Sequence, residues 1–152
     1  MQITTQLSRS RIILYLILII IISLGLKLYT VDFSIPPHTD DVSYITTAIE
    51  YSQGDFFLSQ KKHPGWPLVL APFMPIVNSD NLLDYASTAR ILSIAISTIT
   101  IIPMYILARR FFDEKYSLVA SCLLAFEPHL NYNSGGALSE PLLILVLILS
   151  LN

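Results

Sequence analysis

Charge is scarce in this chain. Only 13% of its 152 residues are Asp, Glu, Lys or Arg, against about 25% in an ordinary soluble domain. The few charges are also unevenly placed, and none falls in Ile12–Leu26, Ile91–Ala108 or Pro141–Asn152. A water-soluble fold has no physical reason to segregate them so strictly. Cysteine occurs once, at Cys122, which excludes an internal disulfide, and no Cys/His spacing suits a structural zinc. A net charge of −2 leaves no polycationic surface for nucleic acid. There is no internal repeat, and low complexity is confined to the apolar runs. What is abundant is apolar side chain, 53% of the residues. The expected class is all-α: a polytopic bundle of transmembrane helices, or the first part of one.

The apolar runs set the spans. Ile12–Thr30 is 19 residues long, about 28 Å as a helix and enough for one crossing. Lys27 is expected to snorkel from its end. A cleaved signal peptide is the rival reading, but the run is long and no small-residue cleavage site follows it. Arg9 and Arg11 precede the run with no acid before them, which puts the N-terminus in the cytoplasm. A second span is expected over 86–108, ending at the basic cluster Arg109, Arg110 and Lys115. A third is expected over 117–133, and a fourth begins at 141–152. That last run covers 12 residues of the about 20 a crossing needs, so it is expected to continue beyond the chain. The expected product is a multi-pass cell-membrane protein, inactive as these residues alone.

Pro64–Ser79 is uncharged but holds Pro64, Pro67, Pro72 and Pro75. Interior prolines remove backbone hydrogen bonds that lipid does not replace. The segment is therefore expected to lie at the outer surface or to be re-entrant, not to cross. An external loop then runs over about 31–85.

Candidate chemistry gathers on that outer side. Pro36-Pro37-His38-Thr39-Asp40-Asp41 is an extended segment leading into a helix, with Thr39 as the expected N-cap and two acids in the first turn. Val42, Ile45, Ala48 and Ile49 recur at helical spacing, and Gly54 ends the helix. Asp40 and Asp41 either cap this amphipathic helix or serve a reaction. Lys62 and His63, with Lys61 beside them, either anchor the interface or bind phosphate. Arg90, near the outer start of the second span, either snorkels or faces an interior site. Glu140, after the turn Asn133-Ser134-Gly135-Gly136, falls on the same side as the acidic pair, and Glu127-Pro128-His129 closes the outer half of the third helix. Carboxylates beside cations suit a transfer reaction. One group takes a proton from an attacking hydroxyl, and the others stabilise charge on a departing phosphate.

The order of short segments carries a resemblance. Asp40-Asp41-Val42-Ser43-Tyr44, then Gly54-Asp55-Phe56, then Lys62-His63-Pro64-Gly65-Trp66-Pro67-Leu68, then Ala89-Arg90 through Arg109-Arg110-Phe111-Phe112, then Ser139-Glu140-Pro141-Leu142 follow one another as in the N-terminal region of the GT-C superfamily of polytopic glycosyltransferases. The chain most resembles the protein O-mannosyltransferase and aminoarabinose transferase branch. Asp41 stands where that branch has Glu, and Gly65 where a second Pro is common.

The resemblance implies sugar transfer from a polyprenyl-phosphate-linked donor to a protein, lipid or glycan acceptor, with inversion at the anomeric carbon. Asp40 is then the base and Asp41 its support. Glu140 completes the acidic site, in some relatives beside a divalent metal. Lys62, His63 and Arg90 face the donor phosphate. The competing expectation is a non-catalytic membrane component, such as a transporter or assembly scaffold, whose acids only cap helices.

Overall fold

The computed structural model describes residues 8–56, 63–77 and 79–152. Every regular element among them is helical. Lys61 and Lys62 lie outside the described residues.

The first helix, α1, is Arg9–Thr30, 22 residues and therefore about 33 Å long. The next long one is Leu82–Arg109, 28 residues, divided into α5 (Leu82–Ile99) and α6 (Ile101–Arg109). The division has a local cause. Pro103 has no N–H to give the carbonyl of Ile99, while the flanking bonds Thr100 N–H to Ile96 O and Met104 N–H to Thr100 O are kept at 3.0 and 3.1 Å. These two helices are long and apolar enough to cross a membrane.

The expected third span is not one helix. It divides into α7 (Glu114–Phe126) and α8 (Pro128–Ser134). Glu127, preceding a proline, is driven to extended backbone (φ −62°, ψ 121°). Its carboxylate then accepts from the N–H of Leu130 and starts the new helix. At 13 residues, α7 alone is about 20 Å long, short of a bilayer core. The last helix, α9, is Glu140–Leu151.

Between α1 and α5 the chain builds a cap over one end of these helices. It consists of α2 (Thr39–Ser52), α3 (Gly65–Leu70), a 3₁₀ turn at Ala71–Phe73 and α4 (Met74–Val77). The proline-rich segment is thus three short pieces stacked on α2. Tyr44, Ile45 and Ala48 of α2 pack against Trp66, Leu70 and Met74, with Ala86 and Ala89 of α5 and Ala137 closing the cluster. At the end of α2, Gly54 adopts φ 90°, open to glycine without strain, and Phe56 folds back on Tyr51 with ring centroids 5.2 Å apart.

Hydrogen bonds between distant parts of the chain give the helix directions. The Trp66 indole donates to the carbonyl of Ala137 at 2.8 Å, and the hydroxyls of Tyr44 and Ser139 are 3.3 Å apart. The cap and the start of α9 therefore share one end. Arg90, early in α5, reaches the segment that directly follows α1, so α1 and α5 run in opposite senses. Ser23 of α1 donates to the carbonyl of Ala125 near the end of α7 at 3.1 Å, so those two run together. At the far end Arg110 donates to Leu151 O and Asn152 to Pro103 O.

Candidate functional site

The segment 31–38 and the first turn of α2 are held by three devices. Asp32 Oδ1 accepts from both the N–H and the hydroxyl of Ser34, at 2.9 and 2.6 Å, which closes a tight turn. These two bonds, and after them the charge of Arg90, hold the Asp32 carboxyl below the usual carboxylate range. Arg90 is 4% exposed, and its guanidinium donates to the carbonyls of Asp32, Phe33 and Ile35 at 3.3, 3.5 and 2.9 Å. Its Nε is buried without a partner. Asp41 Oδ2 accepts from the His38 N–H at 3.1 Å, the return half of a capping box.

The N-cap is therefore His38, one residue before the expected Thr39. Aspartate at the third helical position can reach back only to that residue, and this reach selects it over the hydroxyl of Thr39. Asp41 is 1% exposed, and its other oxygen, Oδ1, is buried with no partner.

These groups surround a cavity of about 670 Å³. Asp32, His38, Asp40, Asp41 and Arg90 contribute its polar side. Leu26 of α1, Phe126 at the end of α7 and Leu138 contribute an apolar side. Asp40 is exposed on the first turn of α2 and lines the cavity. The wall at Gly135 tolerates no side chain, because a Cβ there would fall 2.7 Å from Val31 Cγ2. Glycine is what allows the 135–138 turn to approach the end of α1.

The expected site residues separate into three groups. The adjacent pair Asp40 and Asp41 meets Arg90, from a distant helix, at this cavity. Glu140 lines a different and much smaller cavity, of about 20 Å³, with Lys27, Ser97, Thr100 and Asn133. His63 is exposed before α3 and is not part of either wall, and Lys62 lies outside the described residues. No three His, Cys, Asp or Glu side chains among the described residues gather within reach of one metal ion. Asp40 and Asp41 line the large cavity and Glu140 the small one, so the three do not gather around one metal ion.

Three contributors were not singled out by sequence reasoning. Asp32 lies in the 31–85 loop without any sequence-assigned role, although Asp-x-Ser is a turn signal. His38 was read as part of the lead-in and not as the cap. Lys27 was expected to snorkel, but it is 2% exposed and points inward. Its spacing from Ser23, one turn earlier, carried that signal, since residues four apart share a helix face.

No protein-family model, curated protein or solved structure matches the chain.

Proposed function

We propose that the chain belongs to an integral membrane glycosyltransferase of the GT-C kind, acting at the outer face on a polyprenyl-phosphate-linked sugar. The observation that carries this reading is the shared cavity. It joins the acidic first turn of α2 to an apolar wall made by the end of α1 and the end of α7. A substrate with a sugar head and a lipid tail needs both surfaces at one place. The basic residues at the opposite end, Arg9, Arg11, Arg109, Arg110 and Lys115, support a cytoplasmic assignment of that end and an outer assignment of the cap.

In this reading Asp40 is the general base. It takes the proton from the acceptor hydroxyl as that oxygen attacks the anomeric carbon. The bond from that carbon to the phosphate oxygen breaks on the opposite face, and the polyprenyl phosphate leaves. Asp41 acts through position, because its capping box fixes the start of α2 and hence the aim of Asp40. Arg90 acts likewise, by holding the three carbonyls of the segment before it.

The test is transfer from a polyprenyl-phosphate-linked sugar by the complete protein in lipid vesicles. Asp40→Asn should lower the rate by at least about 100-fold while insertion is unchanged. Wild-type transfer in that variant would remove Asp40 as base. A second reading has its own support. Asp41 and Arg90 are both engaged in holding backbone, as a non-catalytic scaffold or transporter component would need, and that reading expects Asp40→Asn to leave function intact.

A further inference from the structure

Lys27 carries a positive charge into the helix layer. It lies in the last turn of α1 and is 2% exposed. Its backbone carbonyl accepts from Val31 and Thr30, but its ammonium has no hydrogen-bond or ion-pair partner among the described residues. An ammonium drawn into a membrane bundle calls for a counter-charge. Across the small cavity stands Glu140, whose Oε2 is buried and unpartnered. Both residues line that cavity, yet they form no direct ion pair.

The size of the gap decides what fills it. About 20 Å³ exceeds the roughly 10–15 Å³ needed for one water and is far too small for a sugar or phosphate. The site is also polar enough to retain a water. Ser97, Thr100 and Asn133 line it, and the first two donate to the carbonyls of Ile94 and Ile96 at 3.2 and 2.7 Å, which leaves their oxygens lone pairs to accept with.

We propose that Lys27 and Glu140 form a charge pair bridged by a single water, which fixes the start of α9 against the end of α1. The bridge lies directly behind the larger cavity. Leu26 lines the large cavity and its neighbour Lys27 the small one; Asn133 and Glu140, on the small cavity, bracket the 135–138 turn that walls the large one. The pair thereby sets the separation of two cavity walls, whatever the cavity binds. Glu140 is a positioning residue in this account.

The experiment is a double-variant cycle on the full chain in lipid nanodiscs, read by thermal unfolding. Lys27→Met and Glu140→Gln should each lower the midpoint by about 5–10 °C, since each leaves one buried charge alone. The combined variant should recover at least half of that loss. A combined loss equal to the sum of the two would overturn the pairing. Where a single variant fails to insert, the combined variant must insert better than it, and equal failure is a refutation. A high-resolution structure in the same nanodiscs should show one ordered water between Nζ and Oε2. An empty gap would remove the bridge. Neither readout involves sugar transfer, so the result is independent of the glycosyltransferase reading.

Discussion

Around α2, α3 and α4 the packed core is Tyr44, Ile45, Ala48, Trp66, Leu70 and Met74, with Asp41 and Thr47 as buried polar residues of α2. Along α1 the buried side chains are Ser23 and Lys27, with Ile12 near its start, while Ile13, Leu14, Ile17, Leu18, Ile21 and Ile22 face outward. The neighbouring helices follow α1. Ser93 and Thr98 of α5 and Ser117 and Ser121 of α7 are buried, and Ile91, Ile99, Val119 and Leu123 are exposed. One part of the chain is built as in water and the other inside out. In water, burial of apolar surface drives folding. In lipid that drive between helices is absent, and small or hydroxyl side chains let helices approach while the apolar faces meet hydrocarbon. The contrast also separates α1 from the buried core helix of a soluble protein, since only 17% of its apolar window is buried, against 39% for Leu82–Arg109.

This difference can be broken at the cap first. Trp66 is 2% exposed and its indole N–H bonds to Ala137 O. Trp66→Ala should destabilise the chain by about 3–5 kcal/mol, the largest effect expected here. Chemical unfolding monitored in detergent measures it, and a loss under 1 kcal/mol would mean the cap has no dry core. A smaller effect belongs to the helix layer. Ser23 is fully buried against α7. Ser23→Leu adds apolar volume where a soluble core might welcome it, yet it should destabilise by about 1–3 kcal/mol, because it pushes α1 from α7. Stabilisation by this substitution would show that the layer is an ordinary hydrophobic core.

The smallest expected effect sharpens the boundary between the two regions, in the segment 31–38. The carboxyl of Asp32 is held below its ordinary range by Ser34 and then by Arg90. A depressed pKa favours folding when the group is ionised. Its contribution is full above the unfolded value and disappears as pH falls through the lower folded value. The stability difference between wild type and Asp32→Asn should therefore shrink in acid, below the usual carboxylate range. A difference constant across that range would mean that these bonds do not depend on the charge.

Much of the outline was legible locally. The four prolines of 64–79 break up that stretch, and residues 65–77 form short helices packed on α2. The amphipathic pattern after Asp41 and the glycine at 54 bounded α2 to within a residue or two. Pro128 was also visible, and with it the break that the expected third span overlooked. The divisions of the candidate site were not legible. Arg90 could have met phosphate or lipid headgroups. Its partners are carbonyls 55 to 58 residues away, and no local pattern encodes them. Glu140 shares an end with Asp40 and Asp41 but faces Lys27 instead, a choice made by the rotation of α9 about its axis.

Composition and periodicity by themselves determined that the chain is helical and that two of the four expected spans, the first and the second, are long and apolar enough to cross a membrane. Those properties follow from side-chain solvation and backbone hydrogen bonding, which act within a few residues. Only the tertiary structure decided which charges meet. Three segments far apart in sequence must dock before Asp40, Asp41 and Arg90 enclose one cavity, and before Lys27 and Glu140 line another.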